Sequence, residues 1–194
     1  MKIILNTEKK KIVSAAERFM QENVPQSRLN LQGKPENYFR HVLGVRKYAL
    51  LLAEKYTADK FVVEIAALLH DVGADVRENH AHESAKIADQ FLSSLKLDSN
   101  AKQKIISCIE IHSMGSVAET LEEQIIQDAD GLIFIEDTFK DFFEHKKQKL
   151  SLEEARKVSI EKNQKMMDKI KTEEGWRLAQ KFLDAAIVYL NDAR

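Results

Sequence analysis

The sequence predicts an all-α protein, and three observations carry that prediction. Only two prolines and six glycines interrupt 194 residues. Lys, Glu, Ala, Leu and Ile are abundant, a mixture that favours long helices over a turn-rich sheet. Apolar positions also recur at helical spacing: His41, Val45, Tyr48 and Leu52 fall at i, i+4, i+7 and i+11, which is one face. The length suits one helical domain over 1–194, with a motif-bearing core at about 36–145 and C-terminal helices at about 151–192. Its 44% apolar content supplies a sizeable core.

A first helix is expected from about Glu8 to Asn23, with Ile12, Ala15, Ala16 and Phe19 on one side. Val24 to Pro35 reads as a loop, because it holds both prolines, Gly33 and several polar residues. Pro35 then opens a helix to about Tyr56, since its missing N–H costs nothing in a first turn. Asp59 caps a helix from Lys60 to about His70 that is apolar nearly all round and therefore central. Val72-Gly73 ends it. Further helices are expected over His80–Leu95, from Asp98 or Ser99 to about His112, and from Leu121 through Phe134 towards Phe143. Ser151-Leu152-Glu153-Glu154 is a capping box. Gly175 separates the helix it opens from a last one carrying Trp176, Ala179, Phe182, Leu183, Ala186 and Leu190 on its apolar side.

Thirty basic residues against thirty-one acidic ones give a net charge of −1, without the basic excess of a nucleic-acid binder. Between Lys146 and Lys171 basic residues predominate; the simplest reading is a solvated helix face, and the alternative is a rim that attracts phosphate. Cys108, the single cysteine, sits among isoleucines and reads as a small buried hydrophobe. Ile3 to Leu5 is too short an apolar run for a signal peptide or membrane span, so no membrane partner and a cytoplasmic location are expected.

The informative residues break the apolar pattern. Asp130 shares a face with Ile126, Ile133 and Phe134; His112 shares one with Ile105, Cys108 and Ile109. His70-Asp71 follows the most apolar helix, and His41 belongs to the Val45/Tyr48/Leu52 face. Singly, each reads as a hydrogen-bonded core residue or a cap. Together they would desolvate several polar groups with nothing to offset the cost. One shared cation accounts for all of them. Imidazole with carboxylate suits Mn, Fe, Co, Ni or Zn better than Mg.

The order His41 … His70-Asp71 … Asp130 resembles the HD-domain phosphohydrolase superfamily, in its stand-alone bacterial form. Ala66 to Gly73 around the doublet and Gln127-Asp128-Ala129-Asp130 resemble its motifs. Asn79 to Ala85 and His112-Ser113 are similar to its additional histidine motifs. The resemblance implies His41, His70, Asp71 and Asp130 as ligands of a divalent metal. His80 and His112 would take a second ion, with Asp71 bridging, and Asp71, His80 and His112 form the catalytic set. His80 is preferred to His82 because it is in phase with Ser84, Ile87 and Phe91. His145, in a run of lysines, reads as a surface residue. The implied reaction is hydrolysis of a phosphate ester or anhydride of a small phosphorylated substrate, such as a nucleotide.

Departures narrow the substrate. Where cyclic-dinucleotide hydrolases carry a lysine and deoxynucleoside monophosphatases a glutamate, this chain has Ala74. Gly131 stands where similar members often place an arginine. Arg77, in the loop after the doublet, is the best candidate for a phosphate contact, against the simpler reading of a solvated loop arginine. Two alternatives are a di-iron oxygenase on the same scaffold and a non-catalytic metal- or nucleotide-binding sensor. The amphipathic C-terminal helix would suit a homodimer.

Overall fold

Helix α3, Pro35–Tyr56, is the beam on which the centre is built. It packs along α4, Lys60–Leu69, on one side and α7, Leu121–Ile133, on the other. The computed structural model describes residues 2–32, 34–75 and 79–193, and no strand occurs among them. Arg77 lies outside the described residues. No helix is long and apolar enough to cross a membrane among the residues described.

Local signals account for most boundaries. Pro35 occupies the first turn of α3, and Thr57, left-handed at φ 60°, closes it. Asp59 accepts hydrogen bonds from the Phe61 and Val62 amides and caps α4, whose eight apolar or alanine positions from Phe61 to Leu69 are buried. Asp98 caps α6, Ser99–Ile111, and Thr120-x-x-Glu123 forms a reciprocal capping box on α7. Helix α5, His80–Ser93, lies against α6. The core joins Val45, Leu52, Ile65, Leu68, Ile105, Ile109, Ile125 and Ile126, so burial of apolar area fastens these helices together.

Several expectations are corrected. The first helix, α1, begins at Lys2 instead of Glu8. Gln26–Gln32, expected as loop, forms a short helix, α2. The Pro25 carbonyl accepts from the Arg28 and Leu29 amides. Ser27 donates its Oγ–H to the Ala74 carbonyl and its N–H to Asp75. Tertiary anchoring to the turn after the doublet thus outweighs local composition. The expected helix through Phe134 is interrupted by a wide π-turn, Phe134–Thr138, before α8, Phe139–Lys147. Helix α9, Leu152–Lys169, stops at Ile170, and α10, Glu173–Asp192, has Gly175 inside its first turn. Gly175 therefore does not separate the two. A Cβ there would lie 2.8 Å from Asp128 Oδ2, so the glycine serves close approach. Trp176, expected on the apolar side, is 44% exposed, and His145 is half-buried in the last turn of α8.

Candidate metal centre

Helix ends aim two of the imidazoles. His70 follows the last residue of α4, and its Nδ1–H donates to the Ala67 carbonyl at 2.8 Å. His112 repeats the device at the end of α6, donating to the Ile109 carbonyl at 2.6 Å. His41 projects from α3, and its Nδ1 shares a 3.1 Å hydrogen bond with Thr138 Oγ1 in the π-turn. With Nδ1 engaged, each ring presents Nε2 inward, the arrangement that orients metal-binding histidines.

Those atoms converge. His41 Nε2 lies 3.3 Å from His70 Nε2, 3.4 Å from Asp130 Oδ1 and 3.6 Å from Asp71 Oδ2. His70 Nε2 is 3.5 Å from the same Asp71 oxygen. The other oxygen, Oδ1, lies 3.8 Å from His112 Nε2. His80 packs edge-on to His112 with ring centres 5.0 Å apart, and its Nε2 is 3.2 Å from Ser113 Oγ. Two ligand groups result, His41-His70-Asp71 and Asp71-His80-His112, each with its donor atoms within 4.8 Å of one another. Asp71 belongs to both. His82 points away, exposed and 3.0 Å from Glu110.

The donor set fits a cation. Burial holds His41 down to about 4 and His112 down to about 3, so both are neutral at pH 7. Two imidazole nitrogens 3.3 Å apart then repel unless a cation or shared proton lies between them. Burial alone would raise the Asp71 carboxyl, but the Arg28 guanidinium leads the opposing influences and the group is held well below the usual range. For Asp130 the Lys169 ammonium likewise leads in outweighing burial. Arg28, from α2, ion-pairs with Asp71, yet neither Asp71 oxygen accepts a well-directed hydrogen bond. An ionised, buried carboxylate with unused lone pairs is what a hard or borderline cation requires.

Beside these groups opens a cavity of about 290 Å³, bordered by His41, His80, His112 and Asp130 on the ligand side. Arg28, Lys162 and Lys169 bring three cations to its wall, Asp141 adds an acid, and Phe134, Phe142 and Met166 make part of it apolar.

The family model described as HD domain matches residues 38–135, half of the chain. The chain belongs to the HD-domain family. Among solved structures, Bacillus subtilis YpgQ is similar over 94% of each chain, at 20% identity and a TM-score of 0.74. The same protein in complex with ADP aligns over 92% of this chain and 94% of the other, at 20% identity and TM-score 0.69. An HD-superfamily hydrolase from Bacillus thuringiensis covers 94% of this chain and 95% of its own, at 19% identity and TM-score 0.72. The fold is therefore one that HD-superfamily hydrolases use.

Within this HD domain the structure brings His41, His70, Asp71, His80, His112 and Asp130 to one place. Sequence reasoning missed Arg28, Thr138, Lys162 and Lys169. Lys162 and Lys169 also correct the reading of the 146–171 segment as a solvated face: both border the cavity, and Lys169 is 8% exposed. A signal for them existed. Ala155, Ser159, Lys162, Met166 and Lys169 fall at i, i+4, i+7, i+11 and i+14, a single helical stripe with apolar members. No comparable pattern marks Arg28, since α2 is only seven residues long.

The closing motif has a division of labour. Gln127 Nε2 donates to the Ile111 and Ser116 carbonyls, bracing the segment that carries His112. Asp128 accepts from the Lys171 and Thr172 amides, the Thr172 hydroxyl and Gln124, fixing the α9–α10 junction. Asp130 alone faces the cavity.

Proposed function

We propose that this HD domain is a metal-dependent phosphohydrolase acting on a small phosphorylated metabolite. His41, His70, Asp71 and Asp130 hold one divalent ion. His80 and His112 hold a second, with Asp71 shared. The observation that carries the reading is the approach of His41 Nε2 to His70, Asp71 and Asp130 within 3.3–3.6 Å, from elements far apart in sequence, at the edge of a cavity with three cations on its wall. When bound, divalent ions supply Lewis acidity: they acidify water near neutral pH and draw charge from phosphoryl oxygens.

The chain's own groups set the rest. Asp71 and Asp130 stay ionised, and His41 and His112 stay neutral, so the donors are ready near pH 7. His80 is half-buried at the cavity wall and kept below the ordinary histidine value by burial. With a single ion bound, it is placed instead to donate a hydrogen bond to a phosphate oxygen or to move a proton. The cavity's apolar side, with Phe134, Phe142 and Met166, suits a flat organic group beside the phosphate. A nucleotide has that composition, and the ADP complex of YpgQ supports it.

The test is metal analysis of the purified protein, followed by a nucleotide and phosphate-ester panel with Mn, Ni, Co and Mg. Asp71→Ala should lose both bound metal and turnover. A metal-replete, active Asp71→Ala protein would refute the assignment. Tight nucleotide binding without turnover under every metal would point to a sensor, and iron-dependent oxygen consumption to an oxygenase.

A further inference from the structure

We propose that Lys169 is the residue that grips the substrate's phosphoryl group, and that Gly131 lacks a side chain so that it can. The inference rests on the phosphohydrolase reading and assigns its phosphate contact.

Lys169 is the last residue of α9, and its ammonium pairs with Asp130 Oδ2. The other Asp130 oxygen faces His41. A protonated lysine has three N–H donors. One goes to Asp130, and the other two have no acceptor among the described residues, although the ammonium sits on the cavity wall. A buried ion pair kept only to join α9 to α7 would be weakly stabilising at best. It would also have no reason to border an open cavity. Of the other two cations on that wall, Arg28 pairs with Asp71 and keeps a buried Nε–H without an acceptor, and Lys162 lies over the Phe134 ring, 5.4 Å from its centre. Lys169 is the one of the three whose partner acid, Asp130, itself borders the cavity.

Three positions of one short stretch, Asp128, Asp130 and Gly131, cooperate to aim this lysine. A Cβ at Gly131 would fall 2.9 Å from Ile170 Cγ1 and 3.2 Å from the Met166 carbonyl oxygen. A side chain there would push the Ile170 side chain aside and press the Met166 carbonyl, in the last turn of α9, outward by a few tenths of an ångström. Asp128 ties down the backbone at Lys171 and Thr172, immediately past Lys169. Asp130 takes the ammonium itself. The position without a side chain thus admits a cation from a helix some forty residues downstream.

The experiment is calorimetric titration of inorganic phosphate into Mn-loaded protein, with Mn titration of the phosphate-free protein alongside. Losing one charge-assisted hydrogen bond should weaken phosphate binding roughly 10–100-fold in K169M. Mn affinity should stay within a few-fold, K169R should keep most phosphate affinity, and G131A should weaken it with the lysine still present. If K169M does not fold, K169Q is judged by the same measure. Wild-type phosphate affinity in K169M or K169Q overturns the inference, and so does loss of Mn and phosphate binding together, which would mark Lys169 as structural. A wild-type protein that binds Mn but not phosphate sinks this inference and leaves the metal centre standing. A wild-type protein that binds no Mn sinks the phosphohydrolase reading itself.

Discussion

Thr138 shows how much of the centre is decided one hydroxyl at a time. It is buried, sits in the π-turn, and is the only side chain given to His41 Nδ1 among the described residues. Without it the imidazole can rotate or take the other tautomer, and Nε2 no longer points reliably at His70 and Asp130. Thr138→Val keeps the shape and removes the hydroxyl. It should weaken metal binding by roughly 10–100-fold while changing the unfolding free energy of metal-free protein by no more than about 2 kcal/mol. Unchanged metal affinity in calorimetry would remove Thr138 from the positioning machinery. At this scale the histidines and aspartates were legible because a polar group on an apolar face is conspicuous. Arg28 and Lys169 were not, since long cationic side chains in charged segments look like solvent-facing residues. Only the fold shows that their head groups turn inward.

Among the elements, the difference between expectation and structure follows one rule: contacts between distant segments override local punctuation. The capping signals read at Asp59, Asp98 and Ser151 are local hydrogen bonds, and each marks a real helix start. Residues 26–32 have loop-like composition but gain a helix through Ser27 and the turn at Ala74–Asp75. The π-turn at 134–138 leaves no periodicity signal, yet it offsets the register so that Thr138 reaches His41. A wide turn of this kind often marks a functional position. Gly175 looked like a helix breaker because glycine is one in isolation. Its role is clearance: a Cβ would meet Asp128 Oδ2 and Thr172 Oγ1, each at 2.8 Å. Gly175→Ala should therefore destabilise by roughly 1–3 kcal/mol in urea unfolding, against the usual gain from alanine in a helix. A stabilised G175A protein would contradict the crowding.

For the molecule as a whole, the centre is a source of pH-dependent stability. His41 and His112 are lowered by burial to about 4 and about 3 in the folded chain, from an ordinary value near 6.5. Below that value the unfolded chain binds more protons than the folded one, so stability rises with pH and is lost on acidification through this window. At pH 5 the loss is about 2 kcal/mol for each histidine acting alone. The depressed carboxylates at Asp71 and Asp130 act in the same direction at lower pH. Metal-free protein should thus unfold at lower urea concentration at pH 5 than at pH 7, and equal midpoints would contradict the burial of these imidazoles. Bound metal should add stability by mass action. At a hundredfold excess over Kd the gain is about 2.7 kcal/mol, or roughly 5–10 °C in melting temperature. A melt insensitive to chelator after Mn loading would speak against a metal centre.

The short α2 carries a consequence for how this protein is dissected. The stretch recognisable as an HD domain begins at residue 38 and ends at 135. Arg28 enters before it, and Lys162 and Lys169 come after it. A fragment cut at those recognisable limits would retain every imidazole and both acids, but its two carboxylates would lose their counter-charges and its cavity one entire wall. Excision by motif would alter what the centre attracts, and not merely how firmly it is held.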